Sequence, residues 1–374
     1  MKSSKRVLQC LGTIAAAVLL GGAANASDID FGKPGTPVKV VIGYQPYYTQ
    51  SWSGVIMRSK KFYEKYLPAK SEVEFQIGLQ GAIIVNNMLA GKHHIGYMGD
   101  MPSIVSTTKQ EVADVRIVAN LGLGWDQCNT FLVRTDAPQF KDSQDAIKWL
   151  NGKQVAVPKG SCTDRFAQAV FKKSNVQPAQ YLNQNIEVIT SNFRAGKLDA
   201  AVMWEPTTSR LIEEGLARKV ATGASVKEND GGFLAMRYDL IRTRPDVVKA
   251  WLNAELDAQL FMADPKNAAE IVKMAKDQTT GFSDKVLWKS LYGSSAAAIG
   301  GTPDRNIMHY TITPEAQELI TRAATFLHEI KSINTPKLRP EAVMPQFTQE
   351  ILKERGLKAP IGIVKALPDS AFRN

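Results

Sequence analysis

The sequence has few of the residues that build metal centres and covalent frameworks, with three cysteines and four histidines among 374 residues. Paired C-x-x-C, C-x-x-C-H and H-E-x-x-H motifs are absent, which argues against a transition-metal or haem site. G-x-S-x-G, G-x-x-x-x-G-K-[ST] and G-x-G-x-x-G at a strand-to-helix turn are also absent, which disfavours hydrolases and nucleotide-binding proteins. His93 and His94 stand in a predicted helix-to-strand loop, where we expect a solvated pair. We therefore predict no catalytic residues, no metal, no cofactor and no enzymatic activity.

Runs in which lysine or arginine alternates with stacking aromatic residues are missing as well, so no nucleic-acid groove is indicated. The chain does carry a basic excess, with 46 Lys and Arg against 36 Asp and Glu. These basic residues are scattered, and we expect most of them on solvated faces. A hydrophobic content of 44% and a charged content of 22% are typical of a globular protein with a full core.

Long hydrophobic runs are limited to one near the N-terminus, at residues 7–22. Three basic residues precede it within residues 2–6, and small residues follow it at 24–26. This order predicts a secretory signal peptide over residues 1–26. A membrane anchor is the alternative, although the run is short for a transmembrane helix. We expect an exported, periplasmic chain, whose formal net charge falls from +10 to +7 when those three basic residues are removed.

Two cysteines remain in the chain predicted to be exported. Cys10 lies inside the predicted signal peptide, which leaves Cys128 and Cys162. Two cysteines in an oxidising compartment can form one disulfide, or they can remain two buried thiols. The residues leave both alternatives open.

Strand-like and helix-like segments alternate along most of the chain. Strands are predicted at residues 38–42, 73–77, 94–98, 115–121, 131–133, 155–157, 187–189 and 199–203. Helices are predicted at residues 52–67, 82–90, after Pro102, and at 143–150, 163–173, 246–262, 266–276 and 314–330. Such alternation favours an α/β protein in which helices cover both faces of a parallel sheet.

The loops that follow these strands carry aromatic residues, glycines and carboxylates. An aromatic loop spans residues 44–52, and shorter loops occur at 78–81, 99–102, 122–126, 159–163 and 204–206. In open α/β sheets ligands bind at the carboxyl ends of the strands. These loops are therefore the predicted ligand-binding loops, although helix capping and core packing account for some of their residues equally well.

At these loops the sequence resembles periplasmic solute-binding proteins of ABC transporters, of the nitrate/sulfonate/taurine type. The resemblance covers roughly residues 36–335. It rests on the signal peptide and on the segments at residues 40–44, 88–96, 99–102, 157–161 and 200–206.

The resemblance implies a two-lobed α/β fold, the type II periplasmic binding protein fold. Each lobe would hold a mixed or parallel sheet with flanking helices, and the ligand cleft would lie between the lobes. The first lobe would comprise residues 27–126 plus 235–374, and the second lobe residues 127–234. The two crossovers between the lobes would lie near residues 125–131 and 231–234.

Candidate ligand-binding residues follow from the same loops. The resemblance implies that the first lobe contributes Tyr44, Gln45, Tyr48, Gln80, Gly81 and Asp100. It implies that the second lobe contributes Gly160, Ser161, Cys162, Thr163, Trp204 and Glu205. The loop pattern adds Trp52, Met101, Trp125 and Asp126.

The expected ligand charge departs from the family. Relatives that take sulfonates or nitrate should offer a cation or free N–H donors, whereas this cleft would hold Asp100, Glu205 and Asp126. These carboxylates would repel an anion unless Lys159 or Arg165 pairs with them or a metal ion binds them. Aromatic residues with carboxylates favour a cationic or hydrogen-bond-donating ligand. An aromatic carboxylate or sulfonate is the alternative.

We expect a monomeric binding protein that closes on a small solute and delivers it to an ABC permease in the inner membrane. A periplasmic sensor that presents its ligand to a membrane receptor would use the same closing motion. An enzyme like the pyrimidine synthases of this fold is a third alternative. Those enzymes resemble the fold but use a run of cysteines and bound iron, which this sequence lacks.

Overall fold

The computed structural model describes residues 28–372. The predicted signal peptide and Cys10 lie outside the described residues. In chain order the strands and helices are β1 (Lys39–Tyr44), α1 (Trp52–Lys60), β2 (Glu72–Ile77), α2 (Gly81–Leu89), β3 (Ile95–Gly99), α3 (Asp100–Ser106), β4 (Val115–Gly124), β5 (Thr130–Arg134), α4 (Ser143–Trp149), β6 (Gln154–Val157), α5 (Cys162–Ser174), β7 (Gln180–Asn183), α6 (Ile186–Arg194), β8 (Ala200–Met203), α7 (Thr207–Glu213), β9 (Ala217–Thr222), β10 (Asp230–Arg237), α8 (Tyr238–Thr243), α9 (Pro245–Ala263), α10 (Ala268–Gln278), α11 (Asp284–Tyr292), β11 (Asp304–Met308), α12 (Pro314–Glu329), α13 (Gln346–Glu354) and β12 (Gly362–Lys365).

Two separate β-sheets organise these elements. The first sheet has seven strands in the order β12-β11-β4-β10-β3-β1-β2, with β1 parallel to β2 and β3 and with β10 antiparallel to β3 and β4. The second has five strands in the order β7-β6-β8-β5-β9, with β6 parallel to β7 and β8. Below, the first lobe means the elements around the seven-stranded sheet, and the second lobe means those around the five-stranded sheet.

The chain passes between the two sheets at two crossovers that touch each other. One joins β4 to β5 and the other joins β9 to β10. The Gly223 N–H donates to the carbonyls of Trp125 (2.7 Å) and Asn129 (2.9 Å). Asp230 Oδ2 accepts from the N–H groups of Cys128 (2.8 Å) and Asn129 (3.0 Å). The crossovers are thus hydrogen bonded side by side.

The second crossover lies earlier in the chain than the predicted 231–234. Residues 231–234 belong to β10, which is buried on both faces and pairs with β3 and β4. The crossover occupies residues 223–229 instead. The full division of the chain into lobes remains a prediction, with residues 230–234 moved to the first lobe.

The strand predicted at 187–189 is wrong, because these residues lie in α6. Ile186, Ile189 and Phe193 are buried at helical spacing on one face. The Asn185 side chain caps the helix by accepting from the Val188 N–H at 2.9 Å. The edge strand of this region is β7, which ends at Asn183, three residues before α6 begins at Ile186.

The lobes have separate hydrophobic cores. The large core of the first lobe includes the fully buried Trp52 and Trp251. The second lobe has a core around Phe131 and Phe166, and a second cluster on its cleft side. That second cluster includes Tyr48, a residue of the first lobe, so the two lobes pack against each other there.

The histidine pair is buried, contrary to the expectation of a solvated loop. His93 is fully buried with Nε2 at 2.9 Å from Gln76 Oε1, and His94 Nδ1 accepts from the Val41 N–H at 3.1 Å. Burial lowers the pKa of each imidazole to about 4, so both rings are neutral at pH 7. The two histidine rings therefore pack in the interior of the first lobe.

Candidate functional site

The candidate site is a cleft where the carboxyl ends of parallel strands from both sheets face each other. The loops after β1, β2 and β3 form one wall, and those after β6, β7 and β8 form the other. Three adjoining cavities occupy this cleft, and Trp204 lines all three. This edge of an α/β sheet is the one where ligands bind.

The innermost cavity is small and is walled by both lobes. Its volume is about 40 Å³, space for one small chemical group. The first lobe contributes Gln45, Tyr48, Gly81, Gly99 and Pro102, and the second contributes Ser161, Cys162 and Trp204.

Two helices begin at this cavity from opposite sides. Gly81 is the first residue of α2, and Ser161 is the N-cap of α5. Neither helix receives a side-chain capping bond, since the Ser161 hydroxyl donates instead to the Pro158 carbonyl at 2.6 Å. Helix N-termini carry free N–H donors and a partial positive charge. The arrangement therefore offers hydrogen-bond donors to an anionic or oxygen-bearing group.

Gly81 is required by the closeness of the cavity wall. A Cβ at this position would lie 2.3 Å from Cγ of Pro102 and 2.7 Å from its Cβ. The proline ring cannot rotate away as a flexible side chain would. A glycine therefore keeps the N-terminus of α2 close to the cavity.

A chain of hydrogen bonds joins the cavity wall to the crossovers. The Tyr48 hydroxyl donates to Gln50 Oε1, and Gln50 Nε2 donates to Asp230 Oδ1 at 2.7 Å. Asp230 in turn holds the N–H groups of the first crossover. Burial raises the pKa of Asp230 to about 7, and the nearby Asp100 and Asp126 add to this rise.

Asp100 is turned away from the cavity and is paired across the lobes. It is fully buried, and its Oδ2 lies 3.1 Å from Arg165 Nη2 of the second lobe. Its Oδ1 accepts from the Met101 N–H at 2.7 Å. Burial raises the pKa of Asp100, and the Arg165 charge opposes that rise.

Asp126 and Glu205 share a second buried charge cluster. The Lys219 ammonium lies 3.6 Å from a carboxylate oxygen of each, and Arg305 donates to Asp126. Burial pushes the pKa of Asp126 upward, but Arg305 and Lys219 outweigh it and hold that pKa below its ordinary value. Burial raises the pKa of Glu205, and Lys219 opposes the rise. Glu205 also accepts from the Ser209 N–H at 2.9 Å.

These pairings remove the reason for expecting a cationic ligand. Asp100, Asp126 and Glu205 each lie beside a cation, and none of them lines the three cavities. Among the described residues that do line them, Glu187 is the one carboxylate, while Lys159 and Arg210 are cations. Among the charged residues that line the cavities, cations therefore outnumber carboxylates, which favours an anionic ligand over a cationic one.

Half of the predicted site residues line the cleft. Those that do are Gln45, Tyr48, Gln80, Gly81, Gly160, Ser161, Cys162 and Trp204. The others lie elsewhere. Tyr44, Trp52 and Met101 belong to the cores of the first lobe, where the Trp52 indole donates to the Pro46 carbonyl at 2.8 Å. Thr163 is fully buried with its hydroxyl 2.6 Å from that of Ser161, and Trp125 belongs to the first crossover.

The disulfide left open by the sequence is formed in the structure, between Cys128 and Cys162. Cys128 lies in the first crossover, and Cys162 is the first residue of α5 and lines the inner cavity. The bond therefore attaches the cavity end of α5 directly to the crossover.

Several cleft residues were missed by the sequence analysis. The most consequential are Arg210 on α7 and Phe282 after α10, which line the outer cavity with Tyr47 and Thr280. Arg210 and Phe282 lie outside the strand-end loops, so the rule that located the other residues does not reach them. Tyr47 belongs to the aromatic loop that the sequence did single out.

No group of three or more His, Cys, Asp or Glu residues that could hold a metal ion occurs within residues 28–372. In the same part of the chain no helix is long and apolar enough to cross a bilayer.

Comparison with known proteins bears on this two-lobed architecture. The model of the NMT1-like family matches residues 33–276. The chain belongs to the NMT1-like family. The chain is also 25% identical over 209 residues to the taurine-binding periplasmic protein of Escherichia coli K12, a match that covers 52% of this chain and 61% of that protein. The match thus spans less than two thirds of that relative.

Solved structures share the fold. The periplasmic nitrate-binding protein NrtA of Synechocystis PCC 6803 aligns with a TM-score of 0.69 at 15% identity, covering 88% of this chain and 93% of that one. The predicted resemblance to nitrate, sulfonate and taurine binding proteins is thereby confirmed, and so is the two-sheet fold of periplasmic binding proteins.

The same fold also occurs in an enzyme. The desulfurization enzyme DSZB aligns with a TM-score of 0.60 at 15% identity, covering 85% of this chain and 99% of that one. Likeness of fold alone therefore does not distinguish a binding protein from an enzyme.

Proposed function

We propose that this family member is the periplasmic substrate-binding component of an ABC importer and that it closes on a small anion. The observation that carries this proposal is the meeting of two uncapped helix N-termini, one from each lobe, at the inner cavity. An anion held between them adds binding energy that exists only when the lobes are together. The ligand thus favours the closed state, which a permease can recognise.

The surroundings of the inner cavity support the same proposal. The cations Lys159 and Arg210 line the neighbouring cavities, and three nearby carboxylates are paired with other cations. A sulfonate, a carboxylate or nitrate fits this charge pattern. The relative that binds taurine is consistent with a sulfonate, because taurine carries a sulfonate group.

Binding is tested by a thermal-shift and calorimetric screen of residues 27–374. The panel contains sulfonates, nitrate and carboxylates, together with organic cations of matched size. A ligand that binds only the native state raises the melting temperature once its concentration exceeds its dissociation constant. We expect shifts from anions. Shifts from cations alone would contradict the proposal.

The position of the site is tested with Trp204→Ala, since Trp204 lines all three cavities. We expect a loss of anion binding of at least tenfold, the size of effect seen for buried aromatic anchors. The matched control is Trp149→Ala, which removes a second-lobe tryptophan that packs on Phe140 outside the cleft. The control should keep its affinity, and equal losses in both variants would move the site elsewhere.

Import is separated from sensing and catalysis by what happens to a labelled ligand. Cells that lack this chain should lose uptake of the ligand and regain it when the wild-type chain is restored. A sensor would leave uptake intact and abolish only the response to the ligand. An enzyme would convert the ligand in solution. Under the proposed function, mass spectrometry after prolonged incubation with the chain should recover the ligand unchanged.

A further inference from the structure

The outer cavity holds an arginine whose charge is poorly matched by its neighbours. This cavity has a volume of about 250 Å³ and is lined by Arg210, Trp204 and Phe282 among others. The nearest carboxylate oxygen to Arg210 Nε is Glu214 Oε1, 3.9 Å away, too far for a hydrogen bond. That carboxylate is already engaged by Arg194, whose Nη2 lies 2.8 Å from both of its oxygens.

The two Nη groups of Arg210 also have few hydrogen-bond partners. Arg210 Nη2 reaches only the Thr190 hydroxyl, at 3.5 Å, and within the described residues Nη1 donates no hydrogen bond. Its Nη1 points toward Gly281 of the first lobe, where a Cβ would lie 3.3 Å from it. Burial lowers the pKa of Arg210, the direction expected when a cation is taken from water without a close counter-charge. Glu187 lines the same cavity and supplies a more distant negative charge.

The size of the inner cavity determines where the body of a ligand must go. At about 40 Å³ the cavity has room for one acidic group and little more. An organic ligand therefore extends into an adjoining cavity. The outer cavity shares Trp204 with the inner one and holds the poorly paired Arg210, which favours it for an anionic ligand. There the ligand meets the Phe282 ring, which already lies 4.9 Å from the Arg210 guanidinium carbon.

We propose that Arg210 forms a second anion-binding subsite, and that the natural ligand is an elongated organic anion with acidic groups at both ends. One acidic group occupies the inner cavity at the starts of α2 and α5. The apolar body lies against Trp204 and Phe282, and the second acidic group pairs with Arg210. This inference rests on the proposed function, since it extends the same cleft. Arginine suits the role because its planar fork binds a carboxylate or sulfonate through two hydrogen bonds.

The test compares benzenesulfonate with 4-sulfobenzoate by calorimetry on the wild-type chain. The two probes share the ring and the sulfonate, and only the second carries another acidic group. We expect 4-sulfobenzoate to bind about tenfold or more tightly, the effect of one charge-assisted bidentate contact. Arg210→Gln should abolish that preference, so that the two probes bind the variant with equal affinity. Arg210→Lys keeps the charge and should retain part of the preference.

The control variant is Arg242→Gln, whose arginine pairs with Asp28 at the surface of the first lobe. It should keep the full preference. Equal binding of the two probes by the wild type would overturn the second subsite and leave the anion-binding function intact. Binding of neither probe, while other anions of the wider panel bind, would overturn this inference alone. Binding of no anion in the panel would overturn both. A preference for 4-aminobenzenesulfonate over 4-sulfobenzoate would assign the outer cavity to Glu187 and an amine, and would also overturn the inference.

Discussion

Arg165 and Asp100 form a buried ion pair between the lobes, with 3.1 Å between Arg165 Nη2 and Asp100 Oδ2. Arg165 also donates to the Asn229 carbonyl at 2.8 Å and lies 3.3 Å from Glu228, both in the second crossover. One side chain of α5 thus connects the start of α3 to the crossover. If the lobes open as the proposed function requires, these charges would separate, and we expect the pair to stabilise the closed arrangement.

We predict that Arg165→Met destabilises the protein by about 3 kcal/mol, because it leaves the Asp100 carboxylate buried without its counter-charge. Urea unfolding followed by circular dichroism measures the loss. The double variant Asp100→Asn with Arg165→Met should lose clearly less than the sum of the two single variants. If the losses in free energy of unfolding of the two single variants simply add up in the double variant, the two side chains have no favourable interaction energy. Arg242→Met, which breaks an exposed pair, serves as the small-effect control.

Gly81→Ala should weaken anion binding by about tenfold while the chain stays folded. The added Cβ would meet the Pro102 ring, so the start of α2 must move away from the cavity. Calorimetry gives the affinity, and the melting temperature of the unliganded protein shows that folding is intact. An unchanged affinity would mean that this helix N-terminus does not contact the ligand.

The buried Glu255 should make stability fall as pH rises. It accepts from the Tyr97 hydroxyl at 2.8 Å and from Gln259 Nε2 at 2.9 Å, and burial raises its pKa from 4.5 to about 7. A carboxyl with a higher pKa in the folded chain binds its proton more tightly when folded. The protonated Glu255 carboxyl therefore adds to the free energy of unfolding at low pH, and this stabilisation is lost between about pH 4.5 and pH 7.

The measurement compares wild type with Glu255→Gln at pH 5 and pH 8. Between pH 5 and pH 8 the free energy of unfolding of the wild type should fall by about 1–3 kcal/mol more than that of the variant. Asp230 changes stability in the same direction, and His93 and His94 in the opposite one, but all three are present in both proteins. The comparison therefore isolates Glu255, and parallel pH curves would show that its proton is not retained on folding.

Removing the disulfide should affect both stability and binding. The paired variant Cys128→Ala with Cys162→Ala is expected to cost about 3 kcal/mol, because the unfolded chain gains freedom. It should also weaken anion binding, since the cavity end of α5 loses its attachment to the crossover. Calorimetry with and without a reductant checks this on the wild type. Unchanged affinity after reduction would confine the bond to a stabilising role.

The sequence was informative where the site is local in the chain. Gln80, Gly81, Ser161 and Trp204 follow strands directly, and the carboxyl ends of parallel strands meet at one edge of a sheet. Their position in the cleft could thus be predicted without any distance. Arg210 could not be found this way, because it lies on a helix and meets Phe282 only through the packing of the two lobes.

The charge of the cleft depended on contacts that sequence spacing does not reveal. Asp100 was correctly placed after a strand, but its partner Arg165 lies on the other lobe. Asp126, at the start of the first crossover, is matched by Arg305 on β11, a strand that comes much later in the chain. His93 and His94 were misjudged because a short loop can be covered by neighbouring elements, here by Gln76 and Phe31.

The paired crossovers constrain the lobe motion that the proposed function requires. The Gly223 N–H is bonded to carbonyls at both ends of the first crossover, and Asp230 holds the same segment from the other side. Two chain segments fixed side by side would let the lobes swing about one axis and would resist twisting and sliding. In the proposed binding protein, closing on a ligand would then order a single angle rather than six rigid-body coordinates. We expect the entropic cost of binding to be correspondingly small, which leaves more of the contact energy to discriminate between solutes.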